Sequence, residues 1–204
     1  WSFLKSPGFW TKLNDRKVDG KVNRFSHPLW LAGFRPFFAL ACLSGLSLPM
    51  LWALIFMGAV SSPPTSFSMF QWHAHEMFFG FGWAVLGGFL LTSTKNWVRV
   101  RGYHGGALAF LAAAWLFERA GMWFESAWPP FLFRLSNNLF LVSIIAMILW
   151  TLVRHRESDA YRGDNVFFLL LLPLFPVAKT LMLGSDHVQA GWVMAIGLFR
   201  LSFL

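Results

Sequence analysis

One cysteine, two tyrosines and a charged fraction of only 13% are the scarcities that bound this 204-residue chain. The lone Cys42 excludes an internal disulfide and any cysteine-built zinc or iron–sulfur centre within the chain. So little charge does not suit a soluble domain, in which about a quarter of the residues are charged. No Walker A loop, nucleophile elbow or dinucleotide fingerprint occurs. Bases outnumber acids 17 to 9, yet they form no groove. Lys5, Lys12, Arg16, Lys17, Lys21 and Arg24 crowd one short tail, and most of the others separate apolar runs. That distribution is a topology signal, and no nucleic-acid partner is expected.

What the chain does hold is apolar: 56% of residues, a mean hydropathy of +0.53, 24 Phe and 12 Trp. A spanning helix needs about 20 such residues to cross a hydrocarbon core of about 30 Å. Six windows qualify: Phe37–Ala59, Trp72–Thr94, Gly105–Phe124, Phe133–Val153, Val166–Gly184, and Val188 to the end. The sequence therefore predicts an all-α, polytopic transmembrane bundle in a lipid bilayer. Residues 1–35 form a basic tail leading into the first span, and 36–204 the helical domain. A start at Trp1 and an end inside an apolar run suggest a piece of a larger protein, whose remaining half is an expected partner. Pro36 suits the first turn of a helix, whereas Pro49, Pro173 and Pro176 should kink their spans.

Seven bases precede the first span, and Lys95, Arg99, Arg101 and then Arg154, Arg156, Arg162 fall on the same side. The opposite side has an uncharged Ser61–Gln71 loop, and only Arg119 and Arg134 between the third and fourth spans. By the positive-inside rule the tail is cytoplasmic. Trp30, Trp72, Trp97, Trp123, Trp128, Trp150 and Trp192 lie near span ends as an aromatic belt would. Trp1, Phe3, Phe9 and Trp10 could rest on an anionic leaflet.

Ionisable residues inside spans are costly and mark candidate sites. The densest group is Gln71-Trp72-His73-Ala74-His75-Glu76-Met77, at the outer end of the second span. On a regular helix His73, Glu76, Met77, Gly80, Ala84, Gly87 and Gly88 share one face, pairing ligands with a strip of small residues. His75 would lie roughly 200° from His73, so separate roles are expected for the two. One imidazole could ligate haem iron axially, while the other binds copper or a carboxylate such as Glu76. Met77 offers a soft thioether to Cu(I). The plain alternative is a polar cap above a helix-packing stripe.

Further polar residues share that depth. Arg134, with Asn137 and Asn138, opens the fourth span; Lys179 ends the fifth; Asp186 and His187 precede the sixth. His187 is the best partner for a bis-histidine site, and Arg134 or Lys179 could pair with Glu76 or with haem propionates. Arg200, inside the last span, calls for a partner. His27, His104 and His155 read as surface histidines.

Gly33-Phe34-Arg35-Pro36-Phe37-Phe38, Trp72-His73-Ala74-His75-Glu76-Met77-Phe78-Phe79-Gly80-Phe81, and Gly88-Phe89-Leu90-Leu91-Thr92 with Asn96-Trp97 together resemble the NnrS family. The strong match covers about residues 27–97. Thr94-Lys95 departs from it, where a small apolar residue and Pro would be expected before Asn96-Trp97. The resemblance implies a bacterial inner-membrane protein of about twelve spans that contains haem and copper and serves the response to nitric oxide and nitrosative stress. His73 and His75 match the family's motif histidines, followed by Glu76 and Met77. The redox partner, and whether the protein is an enzyme, stay open. A rival reading is a cofactor-free transporter or scaffold with Glu76, Lys179 and Arg200 in a polar path.

Overall fold

A computed structural model describes residues 27–158, 161–184 and 187–203. The proposed leaflet contact of the N-terminal tail and the placement of Asp186 lie outside the described residues. Among the described residues all regular structure is helical. Helix α1 runs Phe34–Phe56, α2 Met69–Trp97, α3 Gly106–Trp123 and α4 Pro130–Arg154. Helices α5, Arg162–Leu171, and α6, Leu174–Leu183, are followed by α7, Val188–Ser202. Four stretches are long and apolar enough to cross a membrane: α1, α2, α4, and Asn165–Leu183 across α5 and α6. Helix α7 is shorter, and α3 carries Glu118 and Arg119 within its 18 residues. This is a helical membrane protein.

The elements follow local chemistry. Pro36 sits in the first turn of α1, where its missing N–H leaves no gap, and α1 continues through Pro49. Pro173 breaks the fifth apolar stretch: α5 stops at Leu171 and α6 restarts with Pro173 as its N-cap and Pro176 in its first turn. Ser68 and Gln71 form a reciprocal capping box at the start of α2, at 3.2 and 3.0 Å. The Gln71 amide also donates to the Met182 carbonyl at 3.4 Å, fastening the outer end of α2 to the end of α6.

Helix α2 is the centre of the bundle. It buries Trp72, Phe79, Trp83, Leu86 and Leu90 along its length. All but Trp72 join one core with Leu108 and Leu111 of α3, Phe140 and Ile144 of α4, and Phe175 of α6. Gly87 and Gly88 let Ile144 and Phe37 press on the α2 backbone, the close approach that small residues permit. Helix α1 lies outside, burying only Pro36, Phe37, Ala41 and Ser44 while Leu43, Leu46 and Met50 remain exposed. An exposed apolar face of that kind suits lipid.

The connections alternate between two ends. At one end the loops are tied by Glu125, whose carboxylate accepts from the Ser66 backbone N–H at 2.8 Å and hydroxyl at 3.0 Å. The opposite end holds Lys95, Arg99, Arg101, Arg154 and Arg156, so the bases segregate as the loop pattern requires. Trp72 is a correction to the aromatic belt: it is buried, in edge contact with Trp123 at 6.0 Å. Trp150 is exposed and fits the belt.

Candidate functional site

The first half of α2 is not a regular helix throughout. After Met69–His75 the chain makes a π-helical stretch, Glu76–Gly82, before α geometry resumes at Trp83. A π turn takes up an extra residue and re-aims the side chains around it. The single stripe from His73 to Gly88 therefore splits. His75 and Glu76 turn into the protein and are buried, whereas His73 and Met77 are half-buried. Gly80 and Gly82 make room within the π turn. A side chain on Gly80 would strike the Arg119 guanidinium, and one on Gly82 would meet Phe199 at 3.0 Å. The Gly80 carbonyl accepts the Trp115 indole N–H at 3.0 Å.

Around His75 the structure assembles a buried ionic network. His75 Nδ1 lies 3.3 Å from Glu76 Oε1, and its Nε2 lies 3.4 Å from Glu118 Oε1. Arg119 Nε is 3.2 Å from Glu76 Oε2, and its Nη2 is 3.0 Å from Glu118 Oε1. Lys179 of α6 completes the set, donating to Glu118 and to the Asn137 backbone carbonyl of α4. Four helices thus meet at two carboxylates, two cations and one imidazole. The acids and bases balance, and each ion offsets a desolvation cost of several kcal/mol in a partner. Phe79 walls the site, 5.5 Å from the His75 ring and 5.4 Å from Lys179 Nζ, and Trp115 lies 5.2 Å from the Arg119 guanidinium carbon.

Three expectations from the sequence change here. Arg119 does not sit in an outer loop; it lies in the last turns of α3, drawn inward by Glu76 and Glu118. Glu76 takes Arg119 and His75 as partners rather than Arg134 or Lys179. Lys179 instead pairs with Glu118, a residue the sequence reading passed over. The signal was present, since Glu118 is an ionisable group within a predicted span. It sits beside Arg119 in sequence and looks self-neutralised, which hides its role across helices.

The remaining candidates stand apart. Arg134, exposed in the first turns of α4, and His187, exposed at the N-cap of α7, share the outer end but not the network. Arg200 is exposed towards the opposite end of α7. His73 lies against Trp52 of α1 with ring centroids 4.6 Å apart and planes tilted by 35°, and its Nδ1 is enclosed without a hydrogen-bond partner. Among the described residues no three His, Cys, Asp or Glu side chains converge as a metal centre.

Compared with models of protein families, residues 28–204 match the family described as NnrS protein. The chain belongs to the NnrS family. The comparisons with curated proteins and with solved structures gave no match. The match extends the motif-bearing region through α3 to α7, so Glu118 and Lys179 fall within the part that NnrS proteins share with this chain. The haem and copper associated with NnrS proteins can be set against these side chains. His75 Nδ1 has the Glu76 carboxylate as its partner, while its enclosed Nε2, 3.4 Å from Glu118 Oε1, makes no hydrogen bond. His73 fits: its enclosed Nδ1 has no partner, and Met77 follows one turn later with a thioether. Both motif histidines thus keep one enclosed ring nitrogen without a hydrogen-bond partner.

Proposed function

We propose that the protein is a haem- and copper-binding component of the bacterial inner membrane that acts in the response to nitric oxide and nitrosative stress. The observation that carries this is that both motif histidines of an NnrS chain keep an enclosed ring nitrogen without a hydrogen-bond partner, and that His73 alone stands outside the ionic network. His73 would be the residue that holds haem iron, and Met77 with His73 would be the donors available to copper. Bound haem iron would supply a site able to take nitric oxide.

The protein's own groups do the rest. Trp52 holds the His73 ring by a tilted ring contact. Glu76, Glu118, Arg119 and Lys179 surround His75 with a balanced set of charges. Arg134 and His187, exposed at the same end, are the groups available to haem propionates. The six-span count, the twelve spans of the whole protein and the cytoplasmic N-terminus belong to this proposal, supported by the segregation of bases to one end. The cofactor-free transporter is favoured by one observation, the union of Glu76 and Lys179 in one buried network. It loses Arg200, which lies elsewhere.

Absorption spectra of the protein purified from haem-replete cells, with copper counted on the same sample, test the reading. The expected result is a Soret band that shifts on titration with nitric oxide, and bound copper. A colourless, metal-free preparation would favour the transporter.

A further inference from the structure

The end of the bundle opposite His73 carries two adjoining cavities of about 350 and 420 Å³. They share Lys95, Arg101, Tyr103 and His104, and Arg99 lines the second. Neither is lined by an acidic side chain. Lys95, Arg99 and Arg101 form no ion pair among the described residues. A general excess of bases on one side of a membrane would leave them splayed in solvent. Here Lys95 is half-buried and, although Arg99 and Arg101 are exposed, a built loop brings the three bases to the same pair of cavities.

Several contacts build that loop. Tyr103 donates its hydroxyl to the Met147 carbonyl at 3.1 Å and receives one from Thr151 at 3.2 Å, pinning the loop to α4. The Gly105 N–H donates to the Trp30 carbonyl at 2.7 Å. Gly102 lies so close to the Lys95 stem that a Cβ there would meet Lys95 Cδ at 2.8 Å. Arg99 has φ +54°, a left-handed conformation unfavourable to a side-chain-bearing residue and one that clusters at ligand sites. Helix α3 begins at the same place: Ala107 lines the first cavity, and no side chain caps the first N–H groups of the helix. Unpaired N–H groups and the positive end of a helix dipole favour an anion.

We propose that these cavities are a binding site for a phosphate anion, presented either by the headgroup of an anionic phospholipid or as free phosphate. Lys95 and Arg101 supply the charge, the start of α3 the backbone donors, and exposed Trp150, lining the first cavity, sets the site at interfacial depth. The test uses the full chain in detergent, stripped of lipid and offered phosphatidylglycerol or phosphatidylcholine, with retention read by native mass spectrometry. Thermal shift with inorganic phosphate runs in parallel. A lipid site predicts retention of phosphatidylglycerol at least about tenfold over phosphatidylcholine, abolished in Lys95→Gln/Arg101→Gln and kept in Arg156→Gln. A phosphate-induced shift without lipid preference, lost in the same double variant, would identify free phosphate as the source. Should the double variant misfold, the exposed Arg101→Gln alone should still weaken retention several-fold. No anion preference in the native protein, or retention unchanged in folded variants, would overturn the proposal.

Discussion

Glu118→Gln should be among the most damaging single substitutions in the chain, lowering stability by about 3–5 kcal/mol. Glu118 is fully buried and holds Lys179, which is itself buried, together with Arg119 and His75. The neutral amide keeps the shape but leaves Lys179 with the Asn137 carbonyl as its nearest compensation. Removing one partner of a buried pair costs far more than removing both, because the survivor is a desolvated ion. Lys179→Met should cost a similar amount alone, and Glu118→Gln with Lys179→Met should cost clearly less than the sum of the singles. Thermal unfolding in detergent, followed by circular dichroism, gives the three values. Additive losses would mean that the two residues do not act as a pair.

Gly191→Val should be comparably severe for a steric reason. A Cβ at Gly191 would run into the backbone of α6 at Leu181 and Met182, so α6 and α7 meet there with nothing between their main chains. Backbone atoms cannot rotate aside as a side-chain end can. Gly191→Ala alone should cost about 1–3 kcal/mol, and Gly191→Val more. The damage should also reach the ionic network, because Lys179 and Met182 are on the same helix, and Met182 is the carbonyl that Gln71 grips. A normal melting temperature for Gly191→Val would contradict this packing.

The bundle was largely legible because a bilayer leaves a coarse imprint. Window Gly105–Phe124 became a helix at Gly106–Trp123, and Phe133–Val153 became one at Pro130–Arg154. Pro173 announced the break between α5 and α6 through its missing N–H. The interior of the site was less legible. Nothing in the composition of Glu76–Gly82 distinguishes a π turn from an α turn, and a wheel drawn at regular pitch put Glu76 on the face of His73 instead of beside His75. The cluster also depends on which helices neighbour which. His75, Glu118 and Lys179 are far apart in sequence, and only the packing of α2, α3 and α6 brings them together. Hydropathy reports the depth of a residue, not its neighbours.

The division of labour between the two motif histidines can be put to one measurement: haem retained per protein in His73→Ala and in His75→Asn, read from the Soret band of equally folded samples. The account predicts that His73→Ala loses most of its haem, while His75→Asn keeps it and pays instead with a lower melting temperature. Loss of haem in His75→Asn with full retention in His73→Ala would contradict it, and would mean that His75 leaves Glu76 and Glu118 to reach the iron.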